Sequence, residues 1–283
     1  MRSESVRARY LIGCDGGRST VRKTLGVSFE SKTESTRWLV VDVADDPVGT
    51  PNLYLRCDPV RPSVSIALPH GVRRFEFMVF AHETDEAITA PAALQALMAR
   101  EVPDPGSVRL IRSRVYTHHA RLAEQFRQGR VLLAGDAAHL MPVWQGQGYN
   151  SGLRDATNLG WKLAAVLNSQ TGDALLDTYE QERRRHAAAM ISLSVTAGRI
   201  FSPTNRWVAR LRDTVSLGLN LLPPARDYVT QMRFKPVPRY TEGVRLPRSS
   251  GRFVDLGATC RLLLFACWLR RPWASGIPGP SAA

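Results

Sequence analysis

The chain has few cysteines, no long apolar run and no leader-like start, and each shortage narrows what it can be. Four cysteines in 283 residues, Cys14, Cys57, Cys260 and Cys267, are too sparse for a disulfide framework and share no metal-ligand spacing. They read as reduced, structural thiols. No stretch approaches the roughly 20 apolar residues that span a bilayer, and Met1 to Tyr10 has no apolar core of the kind a signal peptide carries. The expectation is a cytoplasmic protein with no membrane partner. His118 and His119 are adjacent, project differently and have no Cys or carboxylate at ligand spacing, so no metal site is expected.

A basic stripe interleaved with aromatics is also missing. The formal charge of +13 would suit a nucleic-acid binder, but the positive residues are nearly all Arg scattered along the chain. The densest runs are Arg183 to Arg185, inside a predicted helix, and Arg270 to Arg271. Solvated helix faces, with some help toward a carboxylate or dinucleotide ligand, account for this pattern. No nucleic-acid partner is expected.

What is present is a globular composition, 44% hydrophobic, patterned in blocks. Tyr10 to Gly13 reads as a short apolar strand entering Cys14-Asp15-Gly16-Gly17-Arg18-Ser19, where the glycines make a tight turn and Ser19 caps a helix through Leu25. Strands are expected at Trp38 to Val43, Leu53 to Cys57, Val64 to Leu68, Arg74 to Phe80 and Val108 to Arg114, with a hairpin turn at Pro69 to Val72 and one covering helix, Ala92 to Arg100. Val131 to Ala134 reads as a buried strand followed by a Gly-rich loop. One helix is expected from near Asn150 to Val166, and another from Asp173, its N-cap, to Ser194. The fold class is mixed α/β (α+β): a partial cofactor-binding layer, an inserted and mostly antiparallel substrate-side sheet, and a helical C-terminal part. The expected divisions are 1–34, 35–115, 116–200, a helical tail at 201–245, and an irregular segment at 246–283.

Two segments can carry chemistry. The first, Leu11 to Arg22, is a strand, an Asp15-Gly16 turn and a helix. The second runs from Gly129 to Gly152 and contains Gly135-Asp136-Ala137, Pro142 and Gly146-Gln147-Gly148-Tyr149-Asn150. An apolar strand ending in Gly-Asp sets a carboxylate at a strand's carboxyl end, where it can accept hydrogen bonds from sugar hydroxyls of a cofactor. Gly146 and Gly148 let backbone approach a flat ligand, and the helix they open aims free N–H groups and a positive dipole end at it. Alone, each piece also reads as an ordinary turn or cap; the ordered pair is far harder to produce by accident.

These residues resemble the class A flavoprotein monooxygenases, the phenol-hydroxylase and para-hydroxybenzoate-hydroxylase-like aromatic hydroxylases. Cys14 to Arg22 matches that family's DG motif and Gly129 to Pro142 its GD motif. The tract from Trp144 to Leu167, and the later tracts around Leu175 to Gly198 and Met232 to Tyr240, are similar to the 3-(3-hydroxyphenyl)propionate hydroxylase subgroup. The resemblance implies FAD as cofactor, NADH or NADPH as co-substrate, O2 as oxidant, a small phenolic aromatic acid as substrate, and a homodimer in the full-length family. It places Asp15 at FAD and the nicotinamide nucleotide and Asp136 at the ribityl chain, with Gly16, Arg22, Gly135 and Ala137 beside them as cofactor-binding residues. Pro142 and Gly146 to Asn150 fall beside the flavin ring. It names no catalytic side chain; His70, Tyr116 and His118 are available to favour a phenolate, and all three also read as structural. Little chain precedes the DG motif, and the likeness fades after about residue 245. The resemblance therefore implies a piece without the family's strand–GxGxxG–helix unit, either an incomplete enzyme or a catalytically silent one.

Overall fold

The computed structural model describes residues 4–31, 36–240, 242–247 and 253–255. Cys260, Cys267 and most of the segment expected to be irregular lie outside the described residues.

The first strand, β1 (Leu11–Gly13), enters a turn in which Gly16 takes φ 78°, a conformation that favours glycine, and α1 (Thr20–Thr24) follows. Ser19 caps α1 as expected, its Oγ accepting from the Arg22 N–H at 3.0 Å. After β2 (Phe29–Ser31) come β3 (Thr36–Val43), β4 (Leu53–Arg56), β5 (Ser63–Leu68) and β6 (Val72–Val79), then α2 (Asp85–Thr89), α3 (Pro91–Met98) and β7 (Leu110–His118). β3 to β7 form one antiparallel five-stranded sheet in the order β4-β5-β6-β3-β7.

β3 is buried on both faces from Trp38 to Val43. Leu39, Val41 and Val43 point to one face and meet Phe75, Phe77 and Val79 of β6, with α2 and α3 laying Ile88, Leu97 and Met98 over them. The opposite face carries Trp38, Val40 and Asp42. The hairpin turn stands where the sequence put it, with His70 (φ 62°) and Gly71 (φ 68°) both left-handed. The single covering helix of the sequence reading is corrected to two. α2 precedes α3, and its signature was a Thr84 cap followed by Asp85 and Glu86 in the first turn.

The remaining elements build a second layer. They are β8 (Arg121–Ala123), β9 (Arg127–Gln128), β10 (Val131–Leu133), β11 (His139–Leu140), α4 (Gln147–Leu167), α5 (Asp177–Phe201), α6 (Arg206–Asn220), α7 (Pro223–Thr230), and the paired β12 (Arg245–Pro247) and β13 (Phe253–Asp255). β10 pairs in parallel with β1 and antiparallel with β9, while β8 sits between β11 and β2. Their apolar residues, including Leu132, Leu133 and Phe126, pack with Leu159 of α4 and with Tyr179, Ala187 and Ile191 of α5. Three boundaries differ from expectation, one being the end of α5, which runs to Phe201 and not to Ser194. α4 starts at Gln147, so Gly148 to Asn150 form its first turn, and Asp173 opens a short 3-10 turn instead of capping α5. Asp173 is drawn away by tertiary partners, the Tyr10 hydroxyl and the Arg127 guanidinium. No described helix is long and apolar enough to cross a membrane.

Candidate functional site

Parallel pairing of β1 with β10 sets Leu11 beside Val131 and Gly13 beside Leu133, so both motif turns leave the same end of one small sheet. That is where an open-sheet α/β layer binds ligands. A cavity of about 650 Å³ lies there, within the range of cofactor sites. Cys14 and Gly16 of the first motif, Gly135 and Asp136 of the second, and Gly148 and Tyr149 of α4 all line it. Burial, with help from the charges of Asp15 and Asp155, holds the Cys14 thiol above its ordinary pKa, so it faces the cavity as a neutral thiol.

Asp136 is exposed at this cavity, and its carboxylate makes no hydrogen bond among the described residues. It is an acceptor presented to whatever occupies the space. Gly135 (φ 60°) and Gly146 (φ 59°) adopt left-handed conformations at the two bends of the second motif. Gly146 caps α4 without a side-chain bond, so the first-turn N–H groups of a 21-residue helix have no side-chain cap.

Other expected site residues stand behind the cavity. Asp15 directs both carboxylate oxygens at α1, accepting from the Ser19 hydroxyl and from the N–H groups of Thr20 (2.6 Å) and Val21 (3.1 Å). The Ser19 bond, reinforced by the Val21 and Thr20 N–H groups, holds its carboxyl below the usual aspartate range against a smaller opposing effect of burial. Arg22 is buried between the motifs and donates to the carbonyls of Ala137 (2.7 Å) and Gly17 (2.9 Å), with its guanidinium over Phe29. It ties the DG turn to the GD turn. Ala137, Pro142 and Gln147 are buried, while the Asn150 amide donates to the Gly146 carbonyl at 3.2 Å.

Sequence reasoning missed one wall. Gly148, Gly152, Ala156 and Gly160 recur every fourth residue of α4 and all line the cavity. The spacing was legible as one helix face, but the apolar stripe of Leu159 and Leu163, which packs into the core, drew attention first.

On the sheet side, Trp38 is 1% exposed, stacks on His118 with ring centroids 6.1 Å apart, and meets Trp144 edge-on at 5.0 Å. Trp144 also contacts Phe201 at the end of α5. Its seat requires glycine, because a Cβ on Gly198 would stand 2.5 Å from the Trp144 Nε1. Burial, aided by neighbouring His119, pushes the His118 pKa down to about 4, so its imidazole is neutral at physiological pH. This aromatic cluster joins the sheet to the loop that opens α4. His70 lies instead at the exposed β5–β6 turn.

A sheet-end cavity walled by a Gly-Asp turn, a Gly-rich loop and a helix N-terminus defines a dinucleotide-type cofactor layer. Residues 2–194 match the FAD binding domain family, and the chain belongs to it. The chain is 59% identical over 254 residues to the 3-(3-hydroxy-phenyl)propionate/3-hydroxycinnamic acid hydroxylase of Klebsiella pneumoniae subsp. pneumoniae, a match covering 90% of this chain and 46% of that protein. The chain thus spans about half the length of the curated relatives it matches. Among solved structures, it is similar to aklavinone-11 hydroxylase in complex with FAD and aklavinone, with 31% identity, TM-score 0.63, and coverage of 69% of this chain and 38% of that one. It is also similar to p-nitrophenol 4-monooxygenase PnpA from Pseudomonas putida DLL-E4, with 29% identity, TM-score 0.66, and coverage of 73% and 53%. The resemblance read from the DG and GD motifs is borne out.

Proposed function

We propose that this chain supplies the flavin-side layer and the substrate-side sheet of an FAD-dependent monooxygenase that hydroxylates a small phenolic aromatic acid, of the 3-(3-hydroxyphenyl)propionate kind, with NADH or NADPH and O2. The observation that carries the reading is Asp136. It presents a carboxylate with no protein partner among the described residues to a cavity that Gly16, Gly135 and Gly148 also line, where two motifs from distant parts of the chain meet.

The residues present fit FAD. Asp136 can accept hydrogen bonds from ribityl hydroxyls, the glycines give backbone access to a flat ring, and the uncapped first turn of α4 favours negative charge on it. Bound FAD supplies the redox chemistry, accepting hydride from the nicotinamide and activating oxygen. The chain's own part is to bind and orient. Arg22 and Asp15 shape the DG turn behind the cavity, and the neutral His118 packs with Trp38 and Trp144 between the sheet and the loop that opens α4. Similarity to relatives named as hydroxylases of 3-(3-hydroxyphenyl)propionate supports the substrate class.

The test is a titration with FAD followed by visible absorption, on the chain and on Asp136→Ala, together with aromatic-acid-stimulated NADH consumption by a protein of the relatives' full length. Flavin uptake that Asp136→Ala weakens supports the reading. Equal affinity of the two would make Asp136 a turn residue.

A further inference from the structure

The buried carboxylate of Asp155 has no part in the reading above, yet it touches the cavity's central turn from behind. Asp155 lies three residues beyond Gly152 on α4, so the two share a helix face. Gly152 comes so near the turn that a Cβ on it would stand 3.5 Å from the Gly135 Cα. This approach brings Asp155 beneath residues 135–139.

One oxygen of Asp155, Oδ2, accepts from the Gly135 N–H at 2.9 Å and lies 2.6 Å from Nε2 of His139; the other, Oδ1, accepts from Nε of Arg183 at 2.7 Å. The Asp155, His139 and Arg183 side chains are all fully buried. Arg183 is held in turn by the Ser151 carbonyl (3.2 Å) and the Tyr240 hydroxyl (3.3 Å), with His186 Nδ1 also 3.3 Å away. Burial alone would raise the Asp155 carboxyl, but His139 and Arg183 outweigh it and keep it below the ordinary aspartate value.

An ion pair that merely joined α4 to α5 would need Arg183 and nothing else. This carboxylate also grips both ends of a five-residue turn. Between the grips, Ala137 and Ala138 face inward and are fully buried, and only Asp136 is exposed. Gly135 is left-handed, and without Asp155 its part-buried N–H would lose its partner.

We propose that Asp155 is a positioning residue of the site: by holding Gly135 and His139 together, it fixes the turn that presents Asp136 to the cofactor. The cofactor half of this statement rests on the flavin reading above; the hold on the turn does not. Asp155→Asn breaks the arrangement, because its single oxygen cannot serve Arg183 on one side and two donors on the other.

The experiment is amide hydrogen exchange on the whole chain without flavin, followed through peptides covering 131–141 and the β3–β6 pairing, with an FAD titration in parallel. In Asp155→Asn, exchange at 135–139 is expected to rise about tenfold to a hundredfold, with β3–β6 unchanged and flavin binding weakened by a similar factor. Unchanged exchange at 135–139, or a rise of equal size in both regions, overturns the positioning role. Faster exchange confined to 135–139, in a chain that takes up no flavin even as wild type, keeps that role and removes the flavin reading instead. If Asp155→Asn does not fold, Asp155→Leu combined with Arg183→Met removes both buried charges together, a replacement that cores tolerate, and the same peptides give the answer.

Discussion

In the five-stranded sheet, β3 pairs with β6 from Arg37 to Val43 and with β7 from Thr36 to Val43, whereas in the cavity-bearing layer β1 and β10 pair only from Leu11 to Gly13. The sheet has a long ladder, an apolar face of Leu39, Val41, Phe75 and Phe77, and buried charges of its own, Arg73 against Asp46 and Asp42 against Arg74. The cavity layer has short strands and buried charge: Arg22 between the motifs, Asp155 with Arg183 and His139, and Lys162 with Glu182 at 2.7 Å. The difference follows from what each region must present. A ladder satisfies its own backbone groups, but turns built on left-handed glycines leave N–H and C=O groups that only side chains can meet. Buried ions do so at a desolvation cost, and in return define one turn geometry.

The sharpest way to test this division is Phe77→Ala. Phe77 is fully buried in the sheet core, and its truncation should cost about 3–5 kcal/mol of stability by loss of transfer energy and cavity formation. Denaturant unfolding measures that loss. Flavin affinity at temperatures where the variant stays folded should be unaltered. A matching fall in affinity would mean that the two regions are not energetically separate.

Asp136→Ala should do the reverse. Removing an exposed carboxylate that has no partner among the described residues leaves stability nearly unchanged, while flavin binding weakens by about 1.5–3 kcal/mol, the value of a hydrogen bond to a charged group. Unfolding midpoints and FAD titrations on one preparation read both quantities.

Protonation offers a third comparison, of intermediate size. His118 on the sheet and His186 beneath the cavity layer are both held near pKa 4, chiefly by burial, His186 also by the charges of Arg183 and Arg154. The folded value lies below the unfolded value of about 6.5, so the unfolded chain binds more protons between the two. Stability is therefore full above about pH 6.5 and falls as pH drops toward 4, by at most about 1.4 kcal/mol per pH unit for each histidine. His118→Gln should flatten that slope. An unchanged slope would place His118 in contact with solvent.

How far the sequence anticipates the molecule depends on the same division. The five strands of the sheet were legible as runs of strand-forming residues bounded by turn residues, although their burial was not, since β3 is buried on both faces from Trp38 to Val43 and β4 is exposed throughout. The hairpin at His70-Gly71 was legible from its turn residues. α2 escaped notice because five residues give too short a period to see, although Thr84 and two acidic residues marked its start. In the cavity layer the motifs pointed to Gly16, Gly135, Asp136, Gly148 and Tyr149, which do line the space. Asp155, His139 and Arg183 were not legible, since each is a single polar residue in an otherwise regular pattern and their meeting depends on α4, β11 and α5 packing together. Asp15 shows the same limit from the other side. Its motif is recognisable, but only the fold reveals that its carboxylate turns toward α1.

That orientation of Asp15 makes the smallest prediction the most discriminating about the DG turn. α1 has five residues, too few to persist alone, and its first turn is held by two side chains: Ser19 Oγ accepts from the Arg22 N–H, while Asp15 accepts from the N–H groups of Thr20 and Val21. Ser19→Ala removes one of these caps and the Ser19 hydroxyl that supports Asp15, for an expected loss of about 1 kcal/mol. Asp15 would keep its two backbone donors, and Arg22 its bonds to Gly17 and Ala137, so the turn should stay closed. Flavin affinity should then fall by less than in Asp136→Ala. Thermal unfolding of Ser19→Ala, read beside its FAD titration, checks both parts. A loss of flavin binding as large as that of Asp136→Ala would show that the DG turn reaches the cofactor through Asp15 itself, and that its capping of α1 belongs only to the chain without ligand.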